Sequence, residues 1–105
     1  MRSGLSIGIL RGDDLCEARD KFLVENRLGL HTRAATLVAQ VASQYHCTIH
    51  IKNDKTKAKA TSVLELLQLC ALFNTELEVV AKGKDALQAV EAIGGLIKTR
   101  FGEDS

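Results

Sequence analysis

The chain has 105 residues, 46% of them hydrophobic and 26% charged, which suits one globular domain able to bury about two thirds of its unfolded surface. Its 14 Lys and Arg against 13 Asp and Glu leave a formal net charge of +1, too weak a field to hold a polyanion. Aromatics are 4% and Trp is absent, so bases and sugar rings have few flat side chains to stack on, and neither nucleic acid nor carbohydrate is an expected ligand.

Cys16, Cys47 and Cys70 form an odd set without a CxxC pair, unlike a disulfide framework or a structural zinc site, and point to a reducing cytoplasm. The apolar run Ile7 to Leu10 is cut by Arg11, Asp13 and Asp14, too short for a secretory core or a membrane span. Residues 1–19 mix three Gly with scattered charge and read as an N-terminal extension, either frayed or packed as an edge strand. Residues 20–105 read as the domain.

Phe22-Leu23-Val24 is β-prone and bounded by charge, a strand that Gly29 helps to break. From Thr32 to Gln44, Ala35, Val38, Ala39 and Ala42 recur at helical spacing opposite Thr36, Gln40 and Ser43, predicting an amphipathic helix. Cys47, Ile49 and Ile51 alternate with Thr48, His50 and Lys52, and Asn53-Asp54 turns toward Thr56 to Ala60, predicting a hairpin. Ser62 with Glu65 three residues on has the capping-box pattern at the head of a second helix toward Leu72, on which Cys70 is expected to pack. Leu77, Val79 and Ala81 mark a strand, and Ala86, Ala89, Val90, Ile93, Leu96 and Ile97 mark a last helix from Asp85 to about Arg100. Gly94-Gly95 within that helix should cost roughly 1 kcal/mol each relative to Ala. The order β-α-β-β-α-β-α is an α+β class, an open-faced β-sandwich with a four-stranded antiparallel sheet and three helices on one face. Many unrelated functions share such a layout.

The informative stretch runs from Asn26 to Ala35 and contains Gly29-Leu30-His31-Thr32-Arg33. His31 falls at the N-cap of the first helix, where backbone N–H groups lack intrahelical partners and make a ready anion site. A phosphoryl group on imidazole needs an unprotonated nitrogen to attack, donors for its oxygens and positive charge to offset theirs. The helix N-terminus favours the anionic, phosphorylated form by about 0.3–1 kcal/mol, Arg33 adds charge-assisted hydrogen bonds, and Gly29 lets the backbone turn tightly before the ring.

The motif Gly29-Leu30-His31-Thr32-Arg33 with Ala35 resembles the active site of HPr, the histidine-containing phosphocarrier family of the bacterial phosphotransferase system. Ser62 with Val63-Leu64, Leu69, and Gly83-Lys84-Asp85 through Ala89-Val90-Glu91 extend the likeness, which covers about residues 20 to 101, and the derived element order is that family's fold. The resemblance implies that His31 takes a phosphoryl group on Nδ1 from enzyme I, with phosphoenolpyruvate as ultimate donor, and passes it to a IIA protein or domain in sugar uptake. Arg33 would steady the group, and the chain would be a carrier and not an enzyme, a monomer without cofactor. Ser62 would be the site for an HPr kinase/phosphorylase. Thr32, Thr36, Leu37 and Gln40, with Val63, Leu64 and Leu67, would form the docking patch. Where the family usually has Pro after the Arg, this chain has Ala34, which permits the first helical turn without presetting its φ.

Blander readings compete at several positions. An N-cap serine has a sufficient structural reason at Ser62. His46, Cys47 and His50 straddle a helix end and a strand, with Cys47 and His50 on opposite faces, so no metal site is expected. Lys52, Lys55, Lys57 and Lys59 around the hairpin read as solvated edge protection. The competing function is a regulatory module of the same fold, binding partners according to its state at His31 or Ser62, outside sugar uptake.

Overall fold

The computed structural model describes residues 5–10 and 15–104; residues 1–4 and 11–14 of the expected extension lie outside the described residues. The elements are β1 (Ser6–Leu10), β2 (Leu15–Leu23), α1 (Thr32–Ala42), β3 (Cys47–Lys52), β4 (Lys57–Lys59), α2 (Val63–Gln68), β5 (Glu76–Gly83) and α3 (Ala86–Lys98), followed by a 3-10 turn, Arg100–Gly102. The strands form one antiparallel sheet in the order β1-β2-β5-β3-β4.

The sheet therefore has five strands, not the expected four, and its second strand starts at Leu15 rather than Phe22. Both differences have one cause. Along β2 the charged Glu17, Arg19 and Lys21 alternate with Ala18, Asp20 and Phe22, a strict period of two whose inward positions are too small or too polar to read as a buried stripe. Strand β1 pairs along it, Ser6 opposite Arg19 and Gly8 opposite Glu17, and its Ile7 stays 53% exposed, so at that position the edge strand is held by backbone pairing rather than burial. Strand β2 runs straight through residue 19 into the domain.

In register across the sheet, Ala81 lies between Ala18 and Ile49, and Val79 between Asp20 and Ile51. The inward residues of β2 to β5 meet Ala34, Ala35, Val38 and Ala42 of α1, Leu66 of α2 and Ala89, Val90, Ile93 and Ile97 of α3 in one core. Helix α1 packs against α2 and α3, which gives its N-terminus a fixed place.

Helix α2 is shorter than its sequence pattern, ending at Gln68 with Leu69 as its C-cap. Beyond it Cys70 and Asn74 take positive φ values of 52° and 71°, and Cys70, expected to pack within a helix, is exposed after its end. The capping box is half made. Ser62 Oγ accepts from Glu65 N at 3.2 Å, but the Glu65 carboxylate accepts from Lys59 N at 2.9 Å instead of returning to Ser62.

The two glycines inside α3 differ in kind. A Cβ on Gly94 would lie 2.2 Å from Phe22 Cζ, whereas one on Gly95 would meet nothing within 4 Å. Gly95→Ala should therefore raise stability by about 0.5–1 kcal/mol through helix propensity alone, read as a higher denaturant midpoint at unchanged slope. No gain, or a loss, would show that Gly95 is held by something besides helix propensity.

Candidate functional site

The segment between β2 and α1 is pinned to the segment after α2. Val24 N donates to Thr75 O at 2.9 Å, Asn74 N to Val24 O at 2.8 Å, and Leu30 N to Ala71 O at 2.9 Å. Gly29 sits at φ +67°, and a Cβ there would be 2.3 Å from Ala71 O and 3.0 Å from Leu72 Cα. The tight turn expected before His31 is thus also a close backbone approach, and only glycine fits both demands.

His31 is the N-cap of α1, in extended backbone (φ −85°, ψ −177°), and its side chain makes no capping hydrogen bond. The ring turns elsewhere: Nε2 contacts Glu103 Oε2. Arg33 Nη2 donates to the same oxygen at 2.9 Å, and Asn26 Nδ2 donates to Glu103 Oε1 at 2.9 Å and to Gly29 O at 2.8 Å. Asn26 is fully buried and the Glu103 side chain 9% exposed, while Arg33 is 59% exposed. The imidazole is thus clamped at one nitrogen, with an exposed guanidinium beside it.

Glu103 arrives there because the chain reverses after α3. Arg100, Phe101 and Gly102 have φ of 58°, 54° and 79°, Gly102 N donates to Thr99 O and Glu103 N to Arg100 O, and Phe101, 2% exposed, anchors the turn in the core. Neither Glu103 nor Asn26 was assigned a role from the sequence. Asn26 stood inside the informative stretch as a polar residue without a task; Glu103 is separated from His31 by 72 positions, and nothing in its surroundings marks it.

Burial acts to raise the Glu103 carboxyl, but hydrogen bonds from Asn26 and His31, the His31 charge and the bond from Arg33 together hold it below the usual carboxylate value of 4.5. An ionised carboxylate only accepts hydrogen bonds, so Nε2 is the donor toward Glu103, and it is in the neutral form of the ring that Nδ1 carries the lone pair. Because its folded pKa is depressed, Glu103 contributes stability that is present above its unfolded pKa and lost as the pH falls through the folded value. The stability gap between wild type and Glu103→Gln should accordingly be open at neutral pH and close as the pH falls through and below about 4.5. Urea unfolding across that range checks it, and a gap constant down to strong acid would mean the contact contributes nothing electrostatic.

The other sites expected from sequence fall on two neighbouring helices. Thr32 and Gln40 of α1 are exposed and Thr36 and Leu37 half-buried, with Thr36 Oγ1 donating to Thr32 O at 2.8 Å. On α2, which packs beside α1, Leu64 is 67% exposed and Val63 and Leu67 are half-buried. Leu28 and Leu72, each 67% exposed, flank the Gly29 junction and add apolar surface that the sequence reading left out. Ala34, in place of the family's proline, is fully buried. Among the described residues no group of three or more His, Cys, Asp or Glu is arranged to hold a metal, and no helix is long and apolar enough to cross a membrane.

Residues 18–99 match the family model PTS-HPr, described as the PTS HPr component phosphorylation site. The chain belongs to the HPr family. It is 42% identical over 80 residues to the phosphocarrier protein NPr of Shewanella violacea, covering 76% of this chain and 88% of that one. It is 35% identical to the phosphocarrier protein HPr of Treponema pallidum, covering 77% and 92%. Among solved structures, HPr of Thermoanaerobacter tengcongensis superposes with a TM-score of 0.79 at 30% identity over 83% of this chain and 98% of that one. The family is one of phosphocarriers of the phosphotransferase system, so the chain is a phosphoryl carrier and not an enzyme, and the regulatory alternative is not favoured. The open antiparallel sheet with three helices is the family's architecture. HPr family members work with other proteins of the same system. Glu103 lies outside the matched segment.

Proposed function

We propose that His31 Nδ1 accepts a phosphoryl group from enzyme I, with phosphoenolpyruvate as ultimate donor, and hands it to a IIA protein or domain. The observation that carries this reading is the clamp on Nε2, which leaves Nδ1 as the attacking nitrogen at the N-terminus of α1. Its lone pair forms the P–N bond as the donor's bond to phosphorus breaks, and Nε2 keeps its proton against Glu103. Arg33, bonded to Glu103 by an exposed guanidinium, turns to the phosphoryl oxygens. Delivery to the acceptor is the same displacement in reverse.

Thr32, Thr36, Leu37 and Gln40 with Val63, Leu64 and Leu67 form the docking patch, a partly apolar surface on two adjacent helices that suits successive, transient protein partners. Ser62, half-buried at the N-cap of α2, is the candidate for an HPr kinase/phosphorylase, since a phosphate there would put negative charge on that patch. The protein acts as a monomer, and its three free cysteines suit the reducing cytoplasm.

Incubation with phosphoenolpyruvate and catalytic enzyme I, followed by intact mass, acid lability and phosphorus NMR, tests the reading. An acid-labile gain of one phosphoryl group with an Nδ1 signature is expected. No gain with a cognate enzyme I, or a gain stable to acid, would overturn it.

A further inference from the structure

The helices cover one face of the sheet. On the other face the register brings together side chains that are distant in sequence: Glu17 beside Lys82 and Thr48, then Arg19, Val80, His50 and Lys59, then Lys21, Glu78, Lys52 and Lys57. Six cations thus face two carboxylates on a chain whose formal net charge is +1, so the positive charge is concentrated here and the remainder of the molecule is on balance acidic. Glu17 holds Arg19, and Glu78 reaches Lys52 at 3.3 Å and Arg19 at 3.8 Å. Lys57, Lys59 and Lys82 carry no ion pair among the described residues.

These side chains surround a depression of about 170 Å³ lined by Arg19, Thr48, His50, Lys52, Lys57, Val80 and Lys82. Val80, which points to this face between Arg19 and His50, is only 7% exposed. Burial and the charges of Lys57, Lys59 and Lys82 push the His50 imidazole below its usual value, against the opposing pull of Glu65, which marks a positive local field.

Edge protection accounts for the lysines of β4 but not for Arg19 on β2 or Lys82 on β5, the central strand. We propose that this helix-free face, centred on Lys57 and Lys82, docks an acidic segment of a partner protein, independently of phosphoryl carriage at His31. The size and lining choose the occupant. The depression is small against the roughly 300–1,000 Å³ of cofactor pockets, enough for one or two carboxylates of a longer chain. Among the described residues the face presents no Phe, Tyr or Trp ring for a base to stack on, only the His50 imidazole set among cations, and Glu17 and Glu78 on its β2 and β5 side would repel a continuous phosphate backbone. Alternating carboxylates on a flexible segment can meet the free lysines and avoid both acids.

The test is anisotropy of a labelled glutamate-rich peptide titrated with the full chain at low salt, with a short DNA duplex as competitor. K57E/K82E should weaken peptide binding about tenfold, and K57Q/K82Q, which cannot repel, about threefold. K98E/R100E, the same change of net charge on α3 and the turn after it, should change it by less than about twofold. K57E/K82E should still take up a phosphoryl group at the wild-type rate, showing that the fold is intact; if reversal unfolds the chain, K57Q/K82Q carries the comparison. Absence of binding by the wild-type chain, equal weakening in K98E/R100E, or tighter binding of the duplex than of the peptide would each overturn the proposal.

Discussion

His31→Ala should abolish phosphoryl uptake while leaving the chain folded. Its ring makes no capping hydrogen bond to α1, so alanine removes no cap; it removes the contact of Nε2 with Glu103, and Asn26 and Arg33 still hold that carboxylate at 2.9 Å each. A melting temperature within about 5 °C of wild type is expected, since 1 kcal/mol shifts a domain of this size by roughly that much. Uptake from phosphoenolpyruvate and enzyme I should fall below detection. Arg33→Ala keeps the nucleophile but loses the charge-assisted donor, and because the guanidinium is 59% exposed the loss should be about tenfold in rate and not complete. Residual acid-labile phosphate in His31→Ala would place the acceptor on another side chain, His46 or His50 being the remaining imidazoles.

Gly29→Ala should be the most damaging single methyl in the site region. At φ +67° an L side chain meets its own backbone, costing about 1–2 kcal/mol, and the new Cβ would be driven into Ala71 O, the acceptor of the Leu30 N–H bond. Moving that carbonyl breaks the tie holding the two loops together one residue before His31. A loss of roughly 2–4 kcal/mol is expected, or about 10–25 °C in melting temperature, with slower uptake at temperatures where the variant is still folded because the ring and the helix N-terminus no longer share a fixed geometry. Thermal unfolding and initial uptake rate check both parts. A loss under 1 kcal/mol would mean the loops have room to part, and the close approach would then have no bearing on the site.

Much of the site was legible in the sequence because it is local. Gly29, His31, Thr32 and Arg33 span one turn and one helix start, and the chemistry of an N-cap follows from spacing along the chain. The long periodic elements α1 and α3, the strands of the hairpin and β5 were legible for the same reason: burial of one face imposes a period that can be read in a window. Strand β1 was legible only as one of two alternatives, a frayed extension or an edge strand, because Ser6 to Leu10 is a short run bounded by charge, and the first half of β2 was not legible because Ala18 and Asp20 hide the inward face. The end of α2 was overrun because its apolar residues continue past Gln68 while the backbone turns through positive φ at Cys70 and Asn74.

By itself the sequence determined the family and the placing of the candidate nucleophile His31 at a helix N-terminus, since the motif and the helix start depend on neighbours a few residues away. Only the tertiary structure showed which ring nitrogen is held by another side chain. That contact rests on Glu103, brought back across the molecule by a left-handed turn and the buried Phe101. The same holds for the positive face of the sheet, whose charges come from four strands and meet only through register. Long-range electrostatics depends on where the chain returns to itself, and no local pattern of residue types carries that information.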